Sequence, residues 1–409
     1  MDDALAQILA RVVPLADPEA VSTFDALGRV LVAEVRSLLD VPPADNTSMD
    51  GYALRAADVP AAGAVLPVAQ RIPAGTVGEP LRPGTAARIF TGAQVPPGAD
   101  AVVMQEQCAA IAAAVAGEGL GAVRIDTVPV AGQWIRRRGE DVQHDSVVLA
   151  AGTRLTPAAL GLAASVGAAT LTVARRPRVA LFSTGDELVM PGEPLKPGAI
   201  YNSNRYTLRA LLQSFGCEVA DLGIVPDRLD ATRDALRRAA AAHDLIVTSG
   251  GVSMGEEDHI RPAVQAEGEL TLWQLAMKPG KPLAFGEVRR PTGAGHAWFI
   301  GLPGNPVSSY VTFLLLVRPV LLRLQGVHLN ELAPKVHILR ADFDWPKADK
   351  RREFLRVRLN DRGGLDLFAN QSSGVLTSAH WGDGLVDNPG GQTIRAGDLV
   401  RYLPVSELL

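Results

Sequence analysis

Three short polar turns hold most of the groups in this 409-residue chain that could do chemistry. The first is Ser183-Thr184-Gly185-Asp186-Glu187. The second is Thr248-Ser249-Gly250-Gly251-Val252-Ser253, which runs on to Glu256, Glu257 and Asp258. The third is Gly301-Leu302-Pro303-Gly304-Asn305-Pro306-Val307-Ser308. Small residues let backbone N–H groups come close to an anion, and a helix starting near Pro306 would add its positive end. Carboxylates at the other two turns would repel a bare phosphate. They suit a hard dication that bridges carboxylate and phosphate, for which magnesium is the usual choice. Taken alone, Asp186 and Glu187 read equally well as turn or helix-cap residues. Lys278-Pro279-Gly280-Lys281-Pro282 adds two lysines on a proline-stiffened turn. They make a compact cationic point suited to a small tetrahedral oxyanion, with a solvated surface turn as the competing reading.

Other chemistries fit poorly. Gly251-Val252-Ser253-Met254-Gly255 has the G-x-S-x-G form of a hydrolase elbow, but Ser249-Gly250 stands between the strand and the motif. No local pattern supplies a partner histidine. The seven histidines are scattered, Gly117 to Gly121 lacks dinucleotide-fingerprint spacing, and there is no Walker A pattern.

The elements needed to present these turns are legible around them. Short apolar strands are expected at 179–182, 218–225, 245–248 and 298–300, alternating with helices at 206–215, 230–242 and 307–324. The pattern predicts a parallel, three-layer α/β domain, in which ligands sit beyond the carboxyl ends of the strands. Before it, helices are expected at 5–13, 20–31 and 151–173. A Pro-, Gly- and Val-rich stretch from about 59 to 130 reads as all-β. After it, short strands at 335–339, 354–359, 365–368 and 399–402 read as a small β domain. The expected fold class is thus α/β multidomain. Residues 1–174 form a composite region with an inserted β-rich subdomain at about 53–135, 175–327 form the α/β domain, and 328–409 form the terminal β domain.

Composition bounds the rest. With 47% apolar and 21% charged residues, the chain reads as globular. A net charge of -4 gives no sign of a nucleic-acid binder. Cys108 and Cys217 are far apart and outside any C-x-x-C, as expected of a reduced, cytoplasmic protein. The start lacks the basic n-region of a signal peptide. The longest apolar run, near 311–317, is short of a membrane span and is expected to close at Arg318 and Pro319.

Over almost its whole length the sequence resembles the molybdopterin molybdenumtransferases, the MoeA family, whose eukaryotic relatives include the gephyrin E domain. The resemblance rests on many blocks in order. Asn46 to Ala53, Phe90 to Ala93 and Pro97 to Glu106 come first, followed by Arg138-Gly139-Glu140-Asp141 and Ser183 to Leu188. Asn202-Ser203-Asn204, Gly250 to Gly255 with Asp258, Lys278 to Pro282 and Gly301 to Pro306 follow. Glu353-Phe354-Leu355-Arg356 and Gln371-Ser372-Ser373-Gly374 complete the set. Asn202 stands where many relatives have Asp, a fair turn substitute.

The resemblance implies that adenylyl-molybdopterin and molybdate give molybdenum cofactor and AMP, with magnesium. It also implies an elongated homodimer of four-domain subunits whose site lies between the α/β and terminal domains of one chain and the N-terminal part of the other. By position, it implies that Asp186, Glu187, Asp227 and Asp258 surround the pyrophosphate and magnesium, with Glu187, Asp258 and Asp227 as metal ligands. Lys278, Lys281, Ser308, Arg356 and Ser378 would contact molybdate. Gly250, Gly251 and Ser253, with Pro303, Gly304 and Asn305, would approach the pterin or phosphates. Asp50, Thr91 and Asp141 would complete the site across the dimer. Partners would include a molybdopterin adenylyltransferase and downstream cofactor-maturation proteins, with no nucleic acid and no membrane. The rival readings are the adenylyltransferase step itself, against which the flanking regions argue, and a scaffold on the same fold. A scaffold would be expected to carry binding tails and to have lost the site's Asp and Lys residues.

Overall fold

Strands Arg178–Thr184, Leu245–Ser249, Pro282–Arg289 and His296–Leu302 are largely buried on both faces, and that fixes the architecture around them. In the computed structural model, which describes residues 1–113, 119–251 and 259–409, Arg178–Thr184 is a central strand. Its Val179 and Leu181 point into one core and Ala180 and Phe182 into another, all fully buried. Helices Ser203–Ser214 and Pro306–Thr312, with its continuation, cover the first face. Leu229–Ala242 and Ile260–Glu267 cover the second. The N-terminal helix Asp2–Arg11 also joins the first face through Ala4 and Ile8.

The sheet order is Glu218–Val225, Arg178–Thr184, Leu245–Ser249, His296–Leu302, Pro282–Arg289 and Gly268–Gln274. The first four strands are parallel, as expected. The last two are antiparallel and were not foreseen. They are joined by the short segment that carries the two lysines, which leaves no room for the crossover a parallel pair requires.

The long apolar helix runs from Pro306 to Leu324, as expected, and is long and apolar enough to cross a membrane; what departs from expectation is that Arg318 and Pro319 do not close its apolar run. With 89% of that stretch buried inside the protein it is a core helix. A wider π-type turn at Phe313–Val317 precedes Arg318–Leu324, and such a turn absorbs the missing proline donor. The buried Arg318 donates from its two terminal nitrogens to the carbonyls of Leu332 (2.8 Å) and Glu407 (3.1 Å).

The helix expected at 20–31 is absent. Pro18–Ser22 is a strand paired with Thr170–Ala174, and Val30 and Leu31 are buried in two different cores. The helix expected at 151–173 is shorter, Pro157–Ser165, capped by Thr156 Oγ1, which accepts from the Ala159 amide. The β-branched residues beyond it form the strand. Gly51–Ile125 holds a six-stranded sheet, ordered Ala101–Met104, Gly51–Leu54, Ala86–Ile89, Ala64–Ile72, Ala122–Ile125, Cys108–Ile111. At the other end, His337–Ala341, Arg352–Leu359, Gly364–Leu367, Gly384–Asn388 and Leu399–Pro404 close into a small barrel. Met277–Lys278 adds to that barrel as a parallel partner of Arg352–Glu353, so the two units share backbone pairing beside the lysines.

Candidate active site

The strand ends at Ser183, Ser249 and Leu302 lie level in the sheet. The chain leaves Arg178–Thr184 for the edge strand on one side and returns on the other. At that switch point a crevice opens. It is a cleft of about 960 Å³, walled by Glu187, Asn202–Asn204, Gly250, Lys278–Pro282, Pro303–Pro306 and Ser308, and closed by Gln371–Gly374 of the barrel unit. The Val307 amide donates to the Ser373 carbonyl (3.0 Å) and ties that last wall to the helix start.

Local structure follows from the residue types. Gly250 has φ +87°, and a Cβ there would lie 2.8 Å from the Thr184 carbonyl oxygen. Only glycine lets the two strand ends meet. Gly280 has φ +104°, and a Cβ would strike Thr312 Oγ1 at 2.4 Å, so the lysine turn packs directly on the long helix. That helix begins at Pro306, with Asn305 at the cap position making no side-chain cap. Its amino end therefore faces the cleft without an internal acceptor from that side chain. Asn202 Oδ1 accepts from the Arg205 amide (3.1 Å), the same bond an Asp would make. Asn202 Nδ2 and Thr184 Oγ1 are buried on the cleft wall without a partner among the described residues, open to a ligand's polar groups.

The charges are unevenly held. Lys281 is exposed and makes no ion pair among the described residues. Lys278 donates from Nζ to Glu353 Oε1 (3.0 Å) and lies 3.5 Å from Asp349 Oδ2. Arg351 also lines the cleft and chelates Asp349, and this contact holds that carboxylate well below its usual range. Behind the Gln371–Gly374 wall sits Arg356, 2% exposed. Its Nε donates to Ser378 Oγ (3.1 Å), Nη1 to the Phe354 carbonyl (3.0 Å) and Nη2 to the Ser372 carbonyl (3.4 Å). No carboxylate pairs with it among the described residues, and burial pushes its pKa down to about 10.

The structure thus brings together Glu187, Gly250, Lys278, Lys281, Pro303, Gly304, Asn305 and Ser308. Other expected site residues fall elsewhere. Arg356 and Ser378 are buried behind the wall instead of lining it, because both hold the turn that forms it. Asp186 is exposed and, like Gly251 and Asp227, does not line the cleft. Asp50 Oδ1 accepts from both the amide and hydroxyl of Thr91 (2.7 Å each), which lowers the Asp50 pKa. That pair lies in the six-stranded unit, and Asp141 is exposed nearby in sequence with its amide on the Val41 carbonyl. None of the three lines the cleft. Ser253 and Asp258 lie outside the described residues. Sequence reasoning missed Arg351 as a wall residue, since it belongs to no pattern with chemistry of its own; Thr184 stood in the first polar turn but was given no role.

Among the described residues no three of His, Cys, Asp or Glu gather as a metal-ligand set. Glu187 is, among the described residues, the carboxylate that lines the cleft. Magnesium keeps several waters and takes one or two carboxylates with substrate phosphates. The residues therefore fit an ion that shares a phosphorylated substrate, and do not form an all-protein cage.

Comparison with known proteins agrees along the chain. Residues 1–167 match the MoeA N-terminal region (domain I and II), 180–323 a probable molybdopterin binding domain, and 339–405 the MoeA C-terminal region (domain IV). A molybdopterin molybdenumtransferase of Haemophilus influenzae is 39% identical over 90% of this chain and 88% of its own. One from Nostoc is 37% identical over 95% of this chain and 89% of its own. The crystal structure of a molybdopterin biosynthesis MoeA protein from Pyrococcus horikoshii superposes with a TM-score of 0.81 at 28% identity, covering 98% of both chains. With three family regions in order and close relatives matched nearly end to end, the chain belongs to the molybdopterin molybdenumtransferase family.

Proposed function

We propose that this enzyme inserts molybdenum from molybdate into adenylyl-molybdopterin, giving molybdenum cofactor and AMP, in the cleft between the α/β and barrel units. The observation that carries the reading is Arg356. A guanidinium buried without a counter-ion is costly, and here it stands behind a cleft wall that also presents Lys278 and Lys281. An anion such as molybdate in that corner supplies the missing negative charge.

Lys281, Lys278 and Ser308 hold the oxyanion, with Arg356 and Ser378 supporting it from behind. Gly250, Gly304 and Asn305, at the strand ends and the open helix start, take the pterin side and its phosphates. Glu187 orients a water toward the phosphoanhydride and, with Asp258, would hold magnesium. When bound, that ion neutralises charge on the pyrophosphate. Fixing both reactants in one cleft lets the dithiolene sulfurs displace oxygen ligands of molybdate while the adenylate leaves. The adenylyltransferase step is disfavoured, because the MoeA N- and C-terminal regions flank the shared domain.

The test is reconstitution. The purified protein with adenylyl-molybdopterin, molybdate and magnesium should release AMP and yield active cofactor. Glu187→Gln should lower the rate by at least about a hundredfold. A Glu187→Gln protein with undiminished yield removes that residue's role. We further propose a cytoplasmic homodimer in which Asp50, Thr91 and Asp141 of a second copy complete the cleft. In support, Asp50 and Thr91 form an ordered pair that has no part in the cleft of its own chain. Light scattering at working concentration checks the stoichiometry, and a monomer with full activity refutes it.

A further inference from the structure

The two cleft lysines are held differently, and the difference leads to a residue outside the cleft. Glu353 is 1% exposed, in a strand otherwise rich in apolar side chains. Its Oε1 accepts from Lys278 Nζ (3.0 Å), and its Oε2 accepts from Trp345 Nε1 (2.7 Å) and from Asn388 Nδ2 (3.5 Å). The carboxylate is anchored on its far side by two neutral donors and presents its near oxygen to the lysine. The backbone enforces the match, because Lys278 stands opposite Glu353 in the parallel pairing that joins the two units. Lys278 also forms the partition between the main cleft and a side pocket of about 340 Å³ that carries Trp345 and Asp349.

We propose that Glu353 is a positioning residue for oxyanion capture, acting through Lys278. This rests on the reading of the cleft as a molybdate site. An ammonium has three N–H groups. With one on Glu353 and one turned toward Asp349, a single N–H is left for the cleft, in a fixed direction. A free lysine must lose much of its rotamer entropy to bind an anion. Lys278 has lost it already on folding, so its contact adds affinity without that cost. Lys281, which has no such anchor, attracts the anion but does not orient it. The barrel unit thereby contributes to molybdate binding through a residue that never touches molybdate.

The test uses the full-length protein with adenylyl-molybdopterin and magnesium, reading KM for molybdate and kcat separately. Glu353→Gln, nearly isosteric, should raise KM about tenfold with kcat within about twofold. Glu353→Asp should recover part of that loss. Trp345→Phe, which removes one anchor of Oε2 and leaves Glu353 in place, should raise KM by a smaller factor of about three. In a Lys278→Ala background, Glu353→Gln should add nothing further, since the two act as one unit. Thermal unfolding of each variant separates folding losses from these effects. An unchanged or lower KM in Glu353→Gln overturns the proposal, because the carboxylate would then merely cancel the lysine's charge. So does full additivity with Lys278→Ala. If the unmodified protein fails to consume molybdate at all, it is the functional reading that fails, and the lysine geometry is untouched.

Discussion

The two ends of the central sheet treat buried charge in opposite ways. At the amino ends of the strands, Asp244 is buried and fully answered. Arg175 chelates it at 2.7 and 2.8 Å, the Arg178 amide donates at 2.9 Å, and Arg290 lies 3.9 Å away. Burial alone would raise the Asp244 pKa, but those donors outweigh it and hold the carboxylate below its ordinary value. At the carboxyl ends, Arg356 is just as deeply placed and, among the described residues, has only neutral oxygens as partners. A charge paired within the chain fastens the N-terminal region's last residues to the α/β unit. A charge left unpaired at the edge of a cleft is a place for a ligand's charge.

The sharpest way to break this contrast is to remove Arg356. Arg356→Met should reduce kcat/KM for molybdate by about a hundredfold or more while lowering the melting temperature less than Asp244→Asn does, since the bonds to the wall turn are lost but an uncompensated charge is gone as well. A protein that loses stability in step with activity would place Arg356 with Asp244 as a structural residue. Next in size, Asp244→Asn takes the buried carboxylate from Arg175, which keeps only the exposed Asp17, and should cost about 3 kcal/mol in urea unfolding, with turnover at 25 °C nearly unchanged. The pH dependence sharpens the same point. Because the folded pKa of Asp244 is depressed, its contribution is present above the unfolded value and lost as pH falls through the folded one. The stability gap between the parent and Asp244→Asn should therefore close as pH drops below about 4. Smallest is Lys281→Ala, which should raise KM for molybdate about fivefold and leave unfolding unaffected, as befits an exposed side chain.

How much of this could be read without coordinates depended on how local the cause was. Helix Leu229–Ala242 came directly from periodicity, because it buries one regular face. The helix expected at 20–31 failed because its apolar residues serve two separate cores, which a helical spacing count cannot distinguish. The antiparallel edge strands escaped notice for a related reason. Their direction is set by the short connection through Lys278, not by their own composition.

By itself the sequence determined the chemistry available. Small-residue turns at strand ends, a stiff lysine turn and a nearby carboxylate are properties of residue type and spacing, and the ordered family motifs added the reaction. Only the tertiary structure decided how those groups are held. It placed Glu353 under Lys278, left Arg356 without a counter-ion behind the wall, and kept Asp50 and Thr91 out of their own chain's cleft. Each of those facts joins residues tens or hundreds of positions apart. Burial and pairing between such distant residues follow from how the units pack, and no local pattern encodes them.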